Sequence, residues 1–491
     1  MKTRSCLRRD ARQLLERIMR TEGPPTARAC GRREAFFLQV QEPEDTDLRL
    51  KLPEQVSGII DRLEAAGYEA YAVGGCVRDA VLAREPSDWD ITTSARPEAV
   101  KRIFRRTVDT GLKHGTVTVL TEDGQYEVTT FRIDGVYLDG RHPEEVIFTP
   151  DLKEDLLRRD FTINAMAYSP RTGLVDPYGG MKDLQKKLIR CVGDPDARFD
   201  EDALRILRAV RFSAQLGFRI GDKTRMSVIR HAEMLRKISA ERIRTELVKL
   251  LVSPNPEIFL DLWRLGLTAV FLPEFDLMME TPQHTPWHRY NVGEHSVRAV
   301  CAAPADEILR LAMLLHDVGK PALRYTDSFG RDHFQGHGKE GAKMAREILK
   351  RLKFDNHTID EVTTLIYWHE YWPAVERAEV RRAMHQIGPE RFPSFLEVLW
   401  ADTAAKGPYQ QEENFAWVRG LAGQMEAVLA DGDSLELKDL AIGGEDLLAL
   451  GVRGREVGRI LQGALSRVLE DPAENDRERL LAWAEKEAEG A

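Results

Sequence analysis

The spacing of hydrophobic and polar residues changes about one third of the way along the chain. From residue 48 to about 155, short alternating apolar runs separated by turn residues predict a helix over 53–66, a second helix after Gly74-Gly75, and five strands. The strands are expected over 68–73, 89–92, 116–120, 126–132 and 146–148. Beyond about 155, apolar residues recur at helical spacing, as over 201–216 and 240–251, and hardly any strand pattern remains. The sequence therefore predicts an α+β protein, in which a small mixed sheet is followed by mostly helical domains.

Charge and histidine content divide these two parts further. Residues 1–40 carry ten basic side chains against four acidic ones, and the chain then turns acidic, which predicts a weakly ordered basic extension, with an Arg-rich targeting peptide as the alternative. Nine of the twelve histidines lie between His284 and His385, which indicates a separate histidine-rich module. We therefore expect five segments, namely the extension 1–47, a head 48–155, a helical neck and body 156–278, the histidine-rich module 279–410 and a helical tail 411–491.

The composition excludes several classes of protein. Hydrophobic residues make up 43% and charged residues 31% of the 491 residues, as in a folded globular chain. The 71 basic and 80 acidic residues give a net charge of −9, so any nucleic acid has to be bound by local basic patches. No apolar run has the length of a membrane span, and the five cysteines include no CxxC pair for a zinc site. We expect a cytoplasmic protein without a membrane partner.

Paired glycines mark the first candidate site. Gly74 and Gly75 stand between a predicted strand and a predicted helix. At such a junction, backbone amides can approach a phosphate, and Arg78 can add positive charge. The glycines alone would also fit an ordinary tight turn, so their meaning depends on the residues that follow.

Two closely spaced carboxylates follow the glycines. Asp88 and Asp90 are two residues apart in a strand-like segment, which would point both carboxylates to the same side, about 6.5 Å apart. Such a pair can hold two metal ions for phosphoryl transfer, and magnesium prefers all-oxygen ligands. Glu127, on the predicted strand 126–132, is the candidate third carboxylate. Asp88, Asp90 and Glu127 are therefore the predicted catalytic residues, with Mg²⁺ bound at Asp88 and Asp90.

The order of these motifs resembles that of a known family. After Gly74-Gly75-x-Val77-Arg78-Asp79 and Asp88-x-Asp90 come TGLKHGT at 110–116, RRDFTINAMA at 158–167, DPYGG at 176–180 and EDxxR at 201–205. Over about 68–275 the chain resembles the class II tRNA nucleotidyltransferases, or CCA-adding enzymes, and the bacterial poly(A) polymerases of the same nucleotidyltransferase superfamily. The resemblance implies a nucleotidyltransferase head that uses Mg²⁺, with tRNA, CTP and ATP as partners.

The resemblance also implies which residues bind the nucleotide. Arg159 and Asp160 are expected near the ribose of the incoming nucleotide, and Asn164 is expected to help build the same pocket. The expected nucleotide-binding residues are Gly74, Gly75, Arg78, Arg159, Asp160, Asn164, Glu201, Asp202, Arg205 and Arg208.

Asp202 and Arg205 are candidates for selecting the base. They are three residues apart on a predicted helix, so they would share one face. Cytosine and adenine both present an amine donor beside an unprotonated ring nitrogen, which a carboxylate and a guanidinium can read together. Uracil and guanine reverse this pattern and would leave buried polar groups unpaired, at about 1 to 3 kcal/mol each. The resemblance implies that this pair replaces a nucleic-acid template; otherwise it would be an ordinary ion pair on a helix surface.

The glycine-rich, polar segment 134–143 bears on how many nucleotides are added. Its form is similar to that of enzymes that add all three, whereas enzymes that add only CC are altered here. Enzymes that add only A can look almost identical, and poly(A) polymerases share the glycine and aspartate motifs. Template-independent CCA addition is the prediction, with CC-only, A-only and poly(A) addition as alternatives.

A second group of residues resembles the HD superfamily of metal-dependent phosphohydrolases. His295, the adjacent pair His316 and Asp317, and finally Asp402 follow the order of that family. The segment 309–318 is apolar, so Asp317 would be buried and would need a partner or a metal. An HD domain is therefore expected within 279–410.

Further histidines extend this predicted metal site. His337 and His369 stand where binuclear members of the superfamily carry extra ligands, although His333 is an alternative to His337. A mixture of imidazole and carboxylate ligands suits Mn, Ni, Co, Fe or Mg and does not select one. The expected reaction is hydrolysis of a phosphoester, such as a 2′,3′-cyclic phosphate or a 2′-phosphate on a damaged RNA end.

The glycine-rich segment 442–458 resembles the C-terminal tRNA-binding part of the same enzymes, although its glycines would also fit helix caps. An alternative from another class is an HD phosphodiesterase whose head only binds nucleotide or RNA. The intact Asp88 and Asp90 argue against that alternative. The sequence leaves the oligomeric state open.

Overall fold

The computed structural model describes residues 48–134 and 146–489, together with residues 12, 16 and 17. Of these residues, 48–273 belong to one compact unit, and 274–489 belong to a second unit together with residues 12, 16 and 17. The expected extension 1–47 and nearly all of the loop expected at 134–143 therefore lie outside the described residues.

A seven-stranded mixed sheet is the centre of the first unit. The strands of this part of the chain are β1 Ala70–Val73, β2 Ile91–Thr93, β3 Thr107–Gly111, β4 Thr116–Leu120, β5 Gln125–Thr130, β6 Arg132–Asp134, β7 Val146–Phe148, β8 Ala167–Ser169 and β9 Gly173–Val175. The order in the sheet is β3-β4-β5-β2-β1-β8-β9, while β6 and β7 pair separately. Only β2 and β5 run parallel; the other neighbours in the sheet are antiparallel.

The remaining elements of the first unit are mostly helices. They are α1 Glu54–Ala65, α2 Gly75–Val81, α3 Pro97–Ile103, α4 Leu152–Leu157, α5 Gly180–Gln185, β10 Leu188–Ile189, α6 Pro195–Glu201, α7 Leu204–Leu216, β11 Arg219–Ile220, α8 Asp222–Arg230, α9 Ala240–Leu251, α10 Phe259–Arg264 and α11 Thr268–Phe271. The helix α1 buries Val56, Ile59, Ile60 and Leu63, whose spacing places them on one face, and it packs on β1. The predicted helices over 53–66 and 240–251 are thus confirmed.

Three expectations about the first unit are wrong. The sheet does not end near 155, because β8 and β9 extend it to Val175; these strands have three residues each, too few to show an alternating pattern. Residues 88–90 are not a strand, since β2 begins at Ile91. The predicted strand 126–132 is divided into β5 and β6, which pair with different partners.

The predicted helix 201–216 is also interrupted. Asp202 has an extended backbone conformation, with φ −145° and ψ 101°, and it separates α6 from α7. Its side-chain Oδ1 accepts a hydrogen bond from the backbone N–H of Leu204 at 3.0 Å, which satisfies a donor at the start of α7. Asp202 therefore occupies a helix junction rather than a helix face.

The second unit is almost entirely helical. Its elements are α12 Pro273–Glu280, α13 Val292–Ala302, α14 Glu307–Leu315, α15 Lys320–Leu323, β12 Tyr325–Thr326, β13 Asp332–His333, α16 His337–Arg351, α17 Asn356–Trp368, α18 Arg377–Ile387, α19 Phe392–Ala405, α20 Gln411–Asp431, α21 Gly444–Ala449, α22 Arg455–Glu470 and α23 Arg477–Glu489. Nearly all residues of α19 are buried, as expected of a helix that is apolar on every side. It packs against α13, α14 and α20.

The expected boundary at 410 does not separate two cores. Phe415 on α20 packs on Trp400 of α19, with ring centroids 4.4 Å apart, so α20 shares the core of the histidine-rich module. A distinct small core begins near Ile442 and includes Leu447, Ile460 and Leu480. The C-terminal helices α21 to α23 are therefore the part of the tail that has its own core. Across the described residues, no helix has both the length and the apolar character that crossing a membrane requires.

Gly319 permits a close crossing of backbones in the second unit. A Cβ atom at this position would lie 2.5 Å from the carbonyl oxygen of His337 and 2.7 Å from the backbone nitrogen of Gly341, both on α16. We expect Gly319→Ala to destabilise the unit by about 1 to 3 kcal/mol, because backbone atoms cannot move aside as a side chain can. Thermal unfolding followed by circular dichroism measures this.

Gly423, within α20, is the matched control, because a Cβ there meets no atom within 4 Å. Gly423→Ala should leave stability unchanged or raise it by about 0.5 to 1 kcal/mol, as alanine favours helix. Equal melting temperatures for the two variants would contradict the proposed close crossing.

Candidate active sites

The first unit contains a polar pocket of about 830 Å³ beside the sheet. The predicted site residues that line it are Gly74, Gly75, Arg78, Asp88, Asp90, Arg159, Asp160, Asn164, Asp202, Arg205 and Arg208. Glu127 and Glu201 do not line the pocket itself, although each lies next to a residue that does. Residues that are far apart in sequence are thus brought together in one cavity.

The three predicted carboxylates lie close together, but for a different reason from the one expected. Asp90 directly precedes β2, and Glu127 directly precedes Val128 of β5, which pairs with Ile91 in the parallel register. Because paired positions of neighbouring strands are about 4.8 Å apart, this register places Asp90 beside Glu127. The pKa of Asp90 is raised, first by partial removal from water and then by the negative charges of Asp88 and Glu127.

These carboxylates offer a divalent metal only oxygen ligands, although the three ligand atoms are not gathered within 4.8 Å of one another as those in the second unit are. Arg159 is the cation that counteracts the raised pKa of Asp90, and it does so only in part. The backbone carbonyl of Asp90 accepts a hydrogen bond from Val73 at 3.0 Å, which ties the carboxylate segment to the strand that leads into Gly74. Asp88 and Asp90 line the polar pocket, and oxygen ligands are the ones that Mg²⁺ prefers.

Position 74 requires glycine for two reasons, its backbone conformation and the closeness of a neighbouring side chain. Its φ of +86° is a conformation that residues with a side chain rarely adopt. A Cβ atom at Gly74 would lie 2.8 Å from Nη1 of Arg159. The glycine therefore lets the guanidinium of Arg159 lie directly against the backbone at the rim of the pocket.

Asp160 is the centre of a buried hydrogen-bond network. Its Oδ2 accepts from Nε and Nη2 of Arg208 at 2.8 and 2.6 Å, and its Oδ1 accepts from Nδ2 of Asn164 at 3.1 Å. Asn164 in turn accepts from Nη1 of Arg78 at 2.6 Å, and Arg78 also pairs with Asp79. Burial alone would raise the pKa of Asp160, but the charge of Arg208 and these hydrogen bonds lower it to about 2.

Asp202 and Arg205 both reach the pocket, yet each has its own partner. Asp202 Oδ2 accepts from Nη2 of Arg242 at 2.7 Å. Arg205 donates to Oε2 of Glu201 at 2.5 Å and to the backbone carbonyl of Arg158 at 2.9 Å. The alternative of an ordinary ion pair between the two is therefore wrong. Both side chains are held in place, and each keeps further acceptor or donor capacity for a base.

Sequence reasoning missed several basic residues of this pocket. Arg242 and Lys249 on α9 are seven residues apart, so they lie on one face of the helix, and both line the cavity together with Arg84 and Arg211. Basic residues that recur at helical spacing were the sequence pattern that could have identified them. Arg211 is also paired with the buried Glu246 at 2.7 Å.

The second unit contains a buried cluster of histidines and aspartates. The first trio is His295, His316 and Asp402, and the second trio is Asp317, His337 and His369. Within each trio, the ligand atoms lie within 4.8 Å of one another. In the first trio, Nε2 of His295 lies 3.0 Å from Oδ1 of Asp402 and 3.2 Å from Nε2 of His316. All six predicted ligands are thus brought together.

Backbone carbonyls orient three of the histidines. Nδ1 of His316, His337 and His369 lies 2.8, 2.9 and 2.6 Å from the carbonyl oxygen three residues earlier. Since a carbonyl can only accept, each Nδ1 carries a proton, and in a neutral ring the lone pair is then on Nε2. Nε2 of His337 lies 3.0 Å from Nε2 of His369, and Nε2 of His316 lies 3.2 Å from Nε2 of His295, as between histidines that share a metal ion.

Asp317 connects the two trios. Its Oδ2 lies 3.2 Å from Nε2 of His316, and its Oδ1 lies 3.1 Å from Nε2 of His337. Burial opposes ionisation of Asp317, but His316 and Lys320 hold its pKa well below the ordinary value. The pKa of His316 is raised to about 9, since Asp317 and Asp402 outweigh its burial. A buried carboxylate between two sets of imidazoles fits a divalent metal on either side.

His337, and not the alternative His333, belongs to this cluster. His333 lies on the exposed β12–β13 hairpin and contacts Asp327 at 2.8 Å. The sequence also did not identify Lys320 and Lys406, whose Nζ atoms lie 2.7 Å from Asp317 and 2.6 Å from Asp402. Their spacing of three and four residues from the aspartates was the available signal.

The glycines of the tail segment are at helix ends. Gly443 is the N-cap of α21, and Gly454, with φ +63°, is the N-cap of α22. The backbone N–H of Gly443 donates to Oδ2 of Asp446 at 2.8 Å. Helix capping accounts for both positions, and binding of RNA phosphates by this segment stays a prediction.

Three sequence families match the chain in succession. The family described as the poly A polymerase head domain matches residues 70–190. The probable RNA and SrmB-binding site of polymerase A matches residues 217–279, and the HD domain family matches residues 288–391. The first match reaches beyond β9, in agreement with the extended sheet.

The chain is similar over most of its length to curated and solved proteins. A CCA-adding enzyme of Levilactobacillus brevis is 36% identical over 440 residues, which are 87% of this chain and 96% of that protein. The CCA-adding enzyme of Geobacillus thermodenitrificans is 53% identical over 201 residues, which are 41% of this chain and 50% of that protein. The structure of the Bacillus stearothermophilus CCA-adding enzyme in complex with CTP matches with a TM-score of 0.69 and 31% identity, covering 90% of this chain and 99% of that one. The chain therefore belongs to the family of CCA-adding enzymes and carries an HD domain.

Proposed function

We propose that this chain is a cytoplasmic enzyme that adds CCA to the 3′ end of tRNA from CTP and ATP. The observation that carries the proposal is the pocket of the first unit, where a group of carboxylates adjoins the buried network of Asp160 and the pair Asp202 and Arg205. The similarity to CCA-adding enzymes over most of the chain supports it.

Each addition is one nucleotidyl transfer. The 3′ oxygen of the RNA forms a bond with the α-phosphorus of the nucleotide, the bond to the β-phosphate breaks, and pyrophosphate leaves while the hydroxyl proton is lost to solvent. Asp88, Asp90 and Glu127 are the residues that would hold magnesium. Bound there, magnesium would activate the attacking hydroxyl and neutralise the leaving pyrophosphate.

The other pocket residues would bind and orient the nucleotide. Arg159 lies against Gly74 at the rim, where its charge is available to a triphosphate. Asp160 is kept ionised and fixed by Arg208 and Asn164, so it can hold the ribose side of the pocket rigid. Preorganised groups of this kind lower the cost of binding in the reactive geometry.

Asp202 and Arg205 would select cytosine and adenine. Arg242 and the N–H of Leu204 fix the carboxylate, while Glu201 and the carbonyl of Arg158 fix the guanidinium. Neither side chain has to be ordered when the base binds, so mismatched hydrogen bonds cannot be relieved by rotation. A rigid pair therefore discriminates more strongly than a mobile one.

We also propose that the HD centre is a metal-dependent phosphohydrolase for phosphoesters at RNA ends. His295, His316 and Asp402 would hold one divalent metal, and His337, His369 and Asp317 would hold a second. A metal held there would polarise the phosphate and activate a water molecule. In hydrolysis of a 2′,3′-cyclic phosphate, water oxygen bonds to phosphorus, one ring P–O bond breaks, and the released ribose oxygen takes the proton that water loses.

Replacing Asp88 or Asp90 by Asn should reduce addition of both C and A to background while tRNA binding is retained. The carboxylates act on the transferring phosphate, so turnover should fall far more than affinity. The assay is incorporation of labelled CTP and ATP into tRNA that lacks its last three nucleotides, which also separates CCA from CC-only, A-only and poly(A) addition.

Asp109→Asn is the control for those variants, because Asp109 is an exposed carboxylate that pairs with Lys101 outside the pocket. It should retain parental activity. Equal loss of tRNA binding in the Asp88 and Asp90 variants would indicate a structural role and would contradict the proposal, as would an inactive parent enzyme.

Asp202→Ala and Arg205→Ala should each weaken use of CTP and ATP by about 1 to 3 kcal/mol and reduce discrimination against UTP and GTP. Each nucleotide is assayed separately on tRNA that ends before its first C. Asp200→Ala is the control, because Asp200 is 67% exposed and does not line the pocket. Unchanged selectivity in the first two variants would show that the base is read by other groups.

His316→Ala and Asp402→Ala should each lose bound metal and phosphodiesterase activity while nucleotide addition is spared. Each variant removes one member of the first trio, and a buried ligand cannot be replaced by solvent. Metal content by mass spectrometry and hydrolysis of 2′,3′-cyclic AMP with added Mn²⁺ are measured side by side. His333→Ala, on the exposed hairpin, should change neither, and a loss of metal in that variant would contradict the assignment of His337.

A further inference from the structure

Three exposed aromatic side chains stand beside the first trio of the HD centre. Trp287 and Trp372 are each 43% exposed, and Tyr409 is 51% exposed. Large aromatic rings that remain open to solvent next to polar groups are typical of binding surfaces rather than of a core. We call Trp287, Trp372 and Tyr409 the aromatic shelf.

Direct contacts connect the shelf to the metal-ligating residues. Lys406 donates from Nζ to Oδ2 of Asp402 at 2.6 Å, and the same Nζ lies 5.5 Å from the ring centre of Trp372. The next residue, Gly407, donates its N–H to the carbonyl of Trp287 at 2.6 Å. The segment 406–409 thus joins all three shelf residues to a ligand of the first trio.

A second connection comes from the chain before α13. His288 follows Trp287 directly, and its ring lies 5.1 Å from that of His295. The shelf is therefore adjacent to two of the three members of the first trio. A molecule bound on the shelf would have its other end near the buried ligands.

The rings of the shelf are held in fixed positions. Trp372 stacks on Trp417 with centroids 4.1 Å apart and planes inclined by 20°, and Trp417 donates from Nε1 to the carbonyl of Pro373 at 3.0 Å. Trp287 donates from Nε1 to Oε1 of Gln410 at 3.2 Å and meets Tyr409 edge-on at 6.0 Å. Aromatic rings that are already ordered lose little entropy when a planar ligand stacks on them.

Positive charge accompanies the aromatic rings. Arg289 packs across Gly407, where a Cβ would lie 3.1 Å from its Cγ, and it forms no ion pair within residues 48–134 and 146–489. Aromatic rings combined with a free guanidinium are complementary to a base and a phosphate. A phosphoester without a base would have no use for the rings.

We propose that the aromatic shelf binds the base of the nucleotide whose phosphoester is hydrolysed at the HD centre, so that the base, and not the phosphate alone, selects the substrate. The inference rests on the proposed phosphohydrolase activity. Stacking accepts every base, because every base has a π-face, so the shelf selects nucleotides without selecting a sequence.

The test compares two substrates that share the same five-membered cyclic phosphodiester. One is 2′,3′-cyclic AMP, and the other is glycerol 1,2-cyclic phosphate, which has no base. With the full chain loaded with Mn²⁺, Trp287→Ala and Trp372→Ala should each raise KM for the nucleotide about five- to tenfold and leave kcat unchanged. The kinetics with glycerol 1,2-cyclic phosphate should be the same as in the parent.

Phe329→Ala is the matched control, since Phe329 is an aromatic side chain that is 85% exposed on the β12–β13 hairpin. Phe329→Ala should leave KM and kcat for both substrates unchanged. Trp372→Phe keeps a ring on Trp417 and should restore most of the affinity that Trp372→Ala loses, which separates stacking from misfolding.

A binding measurement without turnover completes the test. Adenosine 2′-phosphate should quench the tryptophan fluorescence of the full chain, and this quenching should be weaker in Trp287→Phe and in Trp372→Phe. Ribose 5-phosphate, which has no base, should not quench the fluorescence of the parent or of either variant. Unchanged quenching, or equal effects of the tryptophan variants on both cyclic substrates, would overturn the shelf while leaving the phosphohydrolase intact. If the parent hydrolyses neither cyclic substrate, the phosphohydrolase activity itself is refuted, and the shelf with it.

Discussion

The burial of ionised carboxylates is the constraint on which both units of this protein depend. An ionised carboxylate is stable away from water only when donors or cations surround it. In the first unit, Asp160 is kept ionised by Arg208, on α7, and by Asn164, four residues further along the chain. In the second unit, Asp317 is kept ionised by His316 and Lys320 and connects two groups of histidines. Each site is thus fixed by the partners that its buried aspartate needs.

In the first unit, that constraint produces a rigid pocket with an unsatisfied edge. Arg78, Asn164, Asp160 and Arg208 satisfy one another, whereas Asp88, Asp90 and Glu127 repel one another next to the pocket. The hydrogen-bonded residues can hold a nucleotide in place, and the neighbouring carboxylates would be stabilised by a cation. The parallel pairing of β2 with β5 is the feature that brings the two parts together, because it sets Glu127 beside Asp90.

In the second unit, a close crossing of two backbone segments brings the ligand residues together. Gly319 lies against His337 and Gly341 of α16, so the helix that contributes His337 can approach the residues that follow His316 and Asp317. Three imidazoles are then oriented by carbonyls within their own turns. The exposed aromatic residues Trp287, Trp372 and Tyr409 lie beside this centre together with Arg289.

The sequence by itself determined the mixed head, the helical remainder, the two chemical motifs and nearly all of the candidate site residues. These features depend on local composition and on motifs that follow one another in a fixed order, such as Gly74-Gly75 and then Asp88-x-Asp90. It did not determine the end of the sheet, because β8 and β9 are too short to show a period. It also placed Asp202 on a helix, whereas the side chain caps the next helix and binds Arg242, forty residues away. Such partners, the register that aligns Asp90 with Glu127, and the segment that joins Trp372 to Asp402 are long-range contacts, and only the tertiary structure decides which distant residues meet.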